Sequence, residues 1–290
     1  NDAWEAIIAA NPYAIPFFGD EADDIREQTE TDVAIMSADA LLDVAVIGET
    51  YYGLIGVDSN GSLDDVINNL GIDIQDNLDD GEVVRAGTTR SAISREDRVI
   101  ERHEIGVRQG AFWQSFDVEA GGGDSIFTDP FGFAESGTEA IFTLPNGMLA
   151  YVIADGNRNI AEESNLLLDT FQDDFIARTA VSCSNCHAQG FNFVADEVKP
   201  FVLANRRSFV NDDFEGVQEI YADPTDFARV IEEDSSAYLL ALRRAELPAT
   251  GGDPVAATFR RFNLDVDLST AAGELGVTPD DLNGDLNLLD

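Results

Sequence analysis

The only two cysteines of this chain lie three positions apart, and a histidine follows the second, in the run Cys183-Ser184-Asn185-Cys186-His187. Residues three apart lie on the same face of a helix, about one turn from each other. Both thiols can therefore reach one planar group, and the next imidazole is directed at its centre. This spacing is typical of covalent attachment of c-type haem. It predicts one covalent haem c, anchored by the two cysteines, with His187 as the proximal iron ligand.

A redox-active dithiol is the alternative interpretation of the same spacing. Such a Cys-x-x-Cys pair belongs near a βαβ unit, and the sequence before Cys183 shows no such pattern. A zinc site would need a second pair of ligands, and the chain has no second cysteine pair. Because c-type haem is attached outside the cytoplasmic membrane, we expect an exported protein, periplasmic or extracellular.

The chain is strongly acidic, with 17 Lys and Arg against 56 Asp and Glu and a net charge of -39. Nucleic acids and anionic membranes bind basic surfaces, so neither is expected as a partner. A single lysine, Lys199, accompanies this charge, and such a surface suits concentrated salt. The composition therefore predicts a marine or halophilic protein. No apolar run approaches the ~18 residues of a membrane-spanning helix, so no span is expected.

Secondary-structure signals divide the chain into three regions. Residues 1–98 indicate short helices, residues 99–178 contain β-strands, and residues 179–290 are helical and carry the haem motif. The predicted fold class is α+β and mostly helical: a helical N-terminal part, a β-hairpin-containing middle and a helical haem-bearing C-terminal part. The three regions could be separate domains or one continuous domain.

Two local signals are specific. Ser62, with Asp65 three residues later and Gly71 beyond, predicts a helix capped at both ends. Asn146-Gly147 between two apolar, β-rich runs predicts a hairpin. Further helices are expected at 4–10, 32–47, 196–208, 214–221, 224–247, 253–262 and 267–282.

The second axial position of the iron has several candidate ligands: His103, Met36, Met148, a water molecule, or none. Both methionines lie in apolar patterns typical of core packing. His103 lies in a polar run, which a core imidazole would not favour, and we expect it to be the distal ligand or to line the distal pocket. A solvated surface histidine is the alternative.

The segment around His103 is rich in arginine. Haem carries two propionates, and carboxylates buried without cationic partners are costly, so we expect Arg98 and Arg102 to pair with them. Trp113 is expected to pack against the porphyrin. For each of these residues an ordinary role in the fold is the alternative. The cluster comprises six of the sixteen arginines: Arg85, Arg90, Arg95, Arg98, Arg102 and Arg108.

Several segments between Trp4 and about Leu275 match one pattern: 4–13, 70–73, 84–87, 98–103, 110–117, 144–147 and 182–190. This pattern resembles a family of large, uncharacterised bacterial cytochrome c-like proteins, best represented in planctomycetes and some other marine bacteria. The resemblance implies an exported monohaem protein and makes the pair Arg102 and His103 part of the haem site. It supplies no substrate, because the family has no settled activity.

The chain departs from the family pattern within 110–117. Phe112 and Phe116 stand where the family has Tyr, and Gln114 stands where it has Lys. These differences put in doubt any proton-handling role for the segment.

Three functions fit these observations. The first, which we favour, is extracytoplasmic one-electron transfer through an iron held by His187 and His103, with an unidentified redox partner protein. The second is a peroxidase-like enzyme that uses His103 and Arg102 as acid/base and charge stabiliser in a distal pocket. The third is a haem-stapled structural subunit that self-associates into oligomers or filaments. The chain is longer than electron transfer requires, which keeps the last two open.

The net charge predicts that salt stabilises the fold. Raising sodium chloride should raise the melting temperature, because ions screen the repulsion among carboxylates. In a chain of this size a gain of 1 kcal/mol shifts the melting temperature by about 2–4 °C. Thermal melts at low and high sodium chloride measure the effect. A flat or falling melting temperature would mean that the acidic residues are compensated locally, and the halophilic interpretation would be wrong.

Overall fold

The computed structural model describes residues 38–286 apart from 90, 92–93, 95, 107–109, 119–124, 173, 249–253 and 276, together with Asp23 and Glu27. The helix predicted at 4–10 and the first part of that at 32–47 lie outside the described residues. Eight strands are described: β1 (Val84–Thr88), β2 (Asp97–Glu104), β3 (Ala111–Val118), β4 (Glu135–Thr143), β5 (Leu149–Asp155), β6 (Ile160–Ala161), β7 (Glu163–Leu168) and β8 (Ile176–Arg178).

Helices precede and follow these strands. The first four are α1 (Ala38–Ala45), α2 (Gly48–Ile55), α3 (Leu63–Asn69) and α4 (Ile74–Asp79). After the strands come α5 (Val181–Cys186), α6 (Val198–Ala204), a 3₁₀ turn (Arg206–Ser208), α7 (Asn211–Ile220), α8 (Pro224–Arg244), α9 (Pro254–Asn263), α10 (Leu268–Leu275) and α11 (Pro279–Leu286).

Strands β1 to β6 form one antiparallel sheet in chain order, and β7 pairs with β8 in a separate two-stranded sheet. Directly paired residues of an antiparallel sheet share a face, while successive residues of a strand alternate between faces. We call one face of the large sheet the first face; it carries the paired row Arg102, Trp113, Ile141 and Tyr151. The opposite, second face carries the next row: His103, Phe112, Phe142 and Ala150.

The first face is covered by α8. Near the start of this helix, Phe227 and Val230 pack with Trp113. Near its end, Tyr238 and Leu242 pack with the β5 side chains Leu149 and Tyr151. The buried positions of α8 recur at helical spacing, so one side of the amphipathic helix faces the sheet. They are Phe227, Val230, Ile231, Tyr238, Ala241 and Leu242.

The second face carries its own apolar core against α6 and α7. Val99 and Phe116 of the sheet pack with Val198 and Val202 of α6 and with Val217 of α7. The sheet is therefore covered on both faces, which explains why its strands are buried along most of their length.

The outer edge of β1, and the part of β5 that the short strand β6 leaves unpaired, are also covered. Beside β1, the backbone of Ala222 donates to the Arg85 carbonyl at 3.0 Å. Beside β5, the Tyr51 hydroxyl accepts a hydrogen bond from the Tyr151 N–H at 2.8 Å. Backbone groups that would otherwise be open to pairing with another chain are satisfied in this way.

Several local predictions are confirmed. The Ser62 side chain accepts from the Asp65 N–H and the Asp65 carboxylate accepts from the Ser62 N–H, a reciprocal capping box at the start of α3. Gly71 follows the helix with φ +71°. Strands β4 and β5 form the hairpin around Asn146-Gly147, and the chain after Cys186 is helical from α6 to α11.

The fold class is mixed α/β, so the prediction of a mostly helical fold was too strong. Strand β1 lies within the region 1–98 that we predicted to be helical. Its sequence, Val-Arg-Ala-Gly-Thr, places a charge in a buried strand, which hides the apolar pattern of a core element. One compact unit spans Leu42–Ala256 and contains parts of all three predicted regions; a second unit includes α10 and α11. Among the described helices none is both long and apolar enough to cross a membrane.

A buried ion pair lies on the second face. Arg85 pairs with Glu101 across β1 and β2, and both are almost fully buried, at 4% and 1% exposure. The guanidinium also lies 5.3 Å from the Phe131 ring and donates to the Pro130 carbonyl. Burial alone would raise the pKa of Glu101, but the hydrogen bond with His103 and the charge of Arg85 lower it to about 2.

Glu101→Gln should destabilise the fold by about 3 kcal/mol, because it leaves the Arg85 cation buried without its counter-charge. Urea unfolding at pH 7 measures the change. Glu233→Gln is the matched control, since Glu233 forms an exposed pair with Arg229 on α8; surface pairs contribute about 0.5 kcal/mol or less.

The same carboxylate predicts a pH dependence. Its folded pKa is about 2 against an ordinary value of 4.5. The stabilisation of the fold by the Glu101 carboxylate is therefore complete above its ordinary pKa of 4.5. It is lost as the pH falls from 4.5 through the folded pKa of about 2. The stability difference between wild type and Glu101→Gln should narrow below pH 4.5. Equal losses of unfolding free energy for Glu101→Gln and Glu233→Gln would contradict the assignment of Glu101 as the counter-charge of the buried Arg85.

Candidate functional site

The Cys-x-x-Cys-His run forms α5 and its C-terminal cap, directly after the small β7–β8 sheet. The residue before the helix, Ala180, has φ +65°, which turns the chain sharply from β8 into α5. The Ser182 hydroxyl accepts from the Arg178 N–H at 2.9 Å and donates to the Asp169 carboxylate. These bonds attach the first turn of α5 to the end of β8 and to the loop between β7 and β8.

The two thiols are free and point into partly buried surroundings. Cys183 packs against the apolar cluster between the end of α8 and β5. We call this set the α8–β5 cluster: Leu149, Tyr151, Tyr238 and Leu242, with Ile141, Met148, Cys183, Phe191 and Leu239 packed against it. Burial raises the pKa of Cys183 to about 12, and burial with the charge of Asp169 raises the pKa of Cys186. Both sulfurs are therefore protonated thiols at neutral pH.

The His187 ring is held in one tautomer. Its Nδ1 lies 3.0 Å from the Gly190 carbonyl oxygen. A carbonyl can only accept, so Nδ1 carries the proton and Nε2 keeps its lone pair. Burial, assisted by the positive charge of Arg98, lowers the pKa of His187. The imidazole is therefore neutral with Nε2 free to bind a metal, the arrangement that a ligating histidine requires.

The middle of α8 positions the Gly190 carbonyl that binds His187. The Ser235 hydroxyl accepts from the Phe191 N–H at 2.9 Å. Gly190 has φ +100°, and a Cβ on it would lie 2.6 Å from the Cβ of Ser235. Only glycine therefore allows the backbone to approach α8 so closely. Sequence reasoning missed both residues; the available signal was a glycine three positions after the motif.

Aromatic rings surround His187. Its ring centroid lies 6.2 Å from that of Tyr151 and 6.3 Å from that of Phe191. Phe191 stacks in turn on Trp113 at 5.0 Å. Tyr151 and Trp113 belong to the same row of the first face, so the sheet presents its aromatic side chains toward the motif. Trp113 thus lies near the motif, with Phe191 between it and His187, and its packing against a porphyrin stays a prediction.

Arg102 also lies on the first face, where it pairs with α8. Its Nε and Nη2 donate to the two oxygens of Asp234 at 2.8 and 3.1 Å, and the Trp113 indole N–H donates to the same carboxylate at 2.8 Å. Asp234 occupies a position in the otherwise apolar stripe of α8. A carboxylate in that stripe is a sequence signal for a buried cationic partner, which here is Arg102.

Arg98 is the third predicted residue on this face. It is buried between two carboxylates, with its Nε 3.1 Å from Asp117 Oδ1 and a second contact to Glu139. The positive charge of Arg98 also acts on His187, because it lowers the pKa of that imidazole. Arg98 and Arg102 thus lie on the same face of the sheet as the motif, but each already has an anionic partner within the fold, and their pairing with propionates stays a prediction. Of the other arginines, Arg85 lies on the second face, and Arg90, Arg95 and Arg108 lie outside the described residues.

His103 lies on the opposite side of the sheet from His187, which contradicts its prediction as the distal ligand. It is fully buried on the second face. Its Nδ1 lies 3.2 Å from the Asn77 amide nitrogen and its Nε2 lies 3.3 Å from a Glu101 oxygen. Both ring nitrogens are therefore used within the fold. The physical reason is alternation: Arg102 and His103 are consecutive in β2 and must point to opposite faces.

The donor set at the motif fits a covalently attached haem. Two protonated thiols one helical turn apart and a neutral imidazole with a free Nε2 are the groups that the attachment uses. Within the described part of the chain, no group of three or more His, Cys, Asp or Glu side chains could hold a metal ion by itself. A protein-only zinc site is therefore not found there.

No protein-family model, curated protein or solved structure matches this chain. The resemblance to the planctomycete cytochrome c-like family stays a prediction.

Gly190→Ala should lower the free energy of unfolding by about 2–3 kcal/mol, because it combines a strained positive φ with a clash against Ser235. Gly71→Ala is the matched control: Gly71 also has positive φ, +71°, but nothing lies within 4 Å of its Cβ position. That variant should lose only about 1 kcal/mol. Urea unfolding measures both, and equal losses would show that the close approach to α8 does not contribute.

Proposed function

We propose that this protein is an exported c-type cytochrome that carries one covalent haem and transfers single electrons. The observation that carries the proposal is the hydrogen bond from His187 Nδ1 to the Gly190 carbonyl. It fixes the tautomer that leaves Nε2 available to an iron, in a histidine that directly follows two cysteines at the spacing of haem attachment.

The state of the thiols favours this proposal over a redox dithiol. A reactive Cys-x-x-Cys pair has a lowered thiol pKa, which supplies the nucleophilic thiolate. Here burial raises the pKa of both thiols, to about 12 for Cys183. Protonated thiols, of which Cys183 packs against an apolar cluster, are poor partners for thiol–disulfide exchange, whereas thioether bonds to haem need no thiolate in the finished protein.

The geometry also favours electron transfer over the peroxidase-like alternative in its original form. That hypothesis required Arg102 and His103 in one distal pocket. The two side chains lie on opposite faces of the sheet, and each is hydrogen-bonded to another residue of the fold. No acid/base pair of this composition can act on one ligand. The haem-stapled structural subunit has no observation in its favour.

Each residue of the site has a role in this proposal. Cys183 and Cys186 hold the haem, and His187 ligates it through Nε2. When bound, haem supplies Fe(III)/Fe(II) chemistry. The α8–β5 cluster excludes water beside Cys183, and a low-dielectric surrounding of this kind is one determinant of reduction potential. Arg98 and Arg102 lie on the same face as ion pairs with carboxylates of the fold.

The surface charge restricts the redox partner. A net charge of -39 repels acidic proteins and attracts basic ones, and the attraction weakens as salt screens it. We therefore propose a basic partner protein or a small uncharged mediator.

Covalent attachment is directly testable. Produced with a c-type haem maturation system, the denatured protein should exceed its apo mass by one haem, and acid-acetone should not extract the colour. Cys186→Ala should leave at most one thioether bond and lower the yield of attached haem. Extractable colour, or two titratable thiols in the coloured protein, would overturn the proposal.

Electron stoichiometry separates haem from dithiol chemistry. A redox titration of the haem band should follow a one-electron Nernst slope of about 59 mV per decade, against about 30 mV for a two-electron dithiol. Ser184→Ala, which keeps the motif intact, is the matched control and should preserve both the slope and the attached mass.

A further inference from the structure

The exclusion of His103 leaves the second axial position of the proposed haem without its predicted ligand. Two methionines remain among the side chains that could fill it. Met36 lies outside the described residues. Met148 is partly buried and belongs to the α8–β5 cluster together with Cys183.

Met148 is held in place by the hairpin between β4 and β5. Its carbonyl accepts from the Leu144 N–H at 2.8 Å, and its own N–H donates to the Asn146 side-chain oxygen at 3.0 Å. The turn is seated against α8, since a Cβ on Gly147 would lie 2.9 Å from the Cβ of Ala241. The backbone of Met148 is therefore fixed at both its polar groups, and its position relative to α8 is fixed as well.

The same cluster connects Met148 to the proximal histidine. Tyr151, three residues after Met148, is a member of the cluster, and its ring lies against that of His187. Cys183, a predicted haem anchor, is packed into the cluster from the side of α5. Met148 and Cys183 therefore pack against one cluster, which puts Met148 near the side chains that would hold a haem.

We propose that the Met148 thioether is the second axial ligand of the iron. The inference rests on the proposed function, because it requires a haem at Cys183 and Cys186. The step is coordination only: a sulfur lone pair is donated to the iron, and no electron or proton is transferred. A soft thioether suits the reduced iron, and ligation by Met and His raises the reduction potential of c-type cytochromes.

Met148→Leu tests the proposal, because it removes the sulfur while keeping an apolar side chain of similar volume. Oxidised wild type should show the weak thioether-to-Fe(III) charge-transfer band at the red end of the visible spectrum, and Met148→Leu should lose it. The reduced variant should take up carbon monoxide that wild type excludes, and its reduction potential should shift downward. Met36→Leu, at the only other methionine, is the matched control and should retain the band.

The outcomes separate this inference from the proposed function. Attached haem without the band in wild type, or a band that survives Met148→Leu, overturns the Met148 assignment and leaves the cytochrome intact. A band lost in Met36→Leu but kept in Met148→Leu assigns the ligand to Met36. A wild type without the band, whose iron becomes high-spin and takes up carbon monoxide in His103→Gln, would restore His103. Absence of covalent haem from wild type overturns the proposed function instead.

Discussion

The alternation of side chains along β2 determines what surrounds the attachment motif. Arg98 and Arg102 point to the first face, where α5 and α8 lie, while Glu101 and His103 point to the second face. The arginine-rich segment that looks like one basic cluster in the sequence is therefore divided by the sheet. One part lies on the face of the motif, where carboxylates of the fold already pair with it. The other part stabilises a separate core and has no access to it.

The buried arginines show how a strongly acidic chain uses its few cations. Arg85 and Arg98 are nearly inaccessible to water, and each contacts a buried carboxylate. Salt screens such buried pairs far less than it screens surface charges. A higher ionic strength therefore weakens the repulsion among surface carboxylates but leaves the buried ion pairs nearly unchanged. The propionates of a bound haem would have to compete with Asp117 or Asp234 for an arginine, or remain at the surface.

Local sequence signals predicted much of the fold, and long-range pairing accounts for what they missed. The capping box at Ser62, the Asn146-Gly147 hairpin and the C-terminal helices each depend on residues within a few positions of one another. Strand β1 depends on its partners across the sheet, so its short mixed sequence was not recognised. The motif itself was recognisable because it is encoded in five consecutive positions, and haem attachment at it stays a prediction. Ser235 was not, because it reaches Phe191 from 44 residues away. The error at His103 was avoidable, since consecutive strand residues cannot share a pocket.

The long additions to the motif have a physical role that centres on α8. This helix of 21 residues is about 30 Å long and crosses the first face from β1 to the start of β5. Its first turns pack on Trp113, its middle holds Gly190 and Phe191 through Ser235, and its last turns close over Cys183. Orientation of His187 and exclusion of water from the thiols are therefore controlled by one rigid element. A displacement of α8 would change the Nδ1 hydrogen bond and the apolar cover together, so the ligand field and the local dielectric of a bound iron are coupled through this helix.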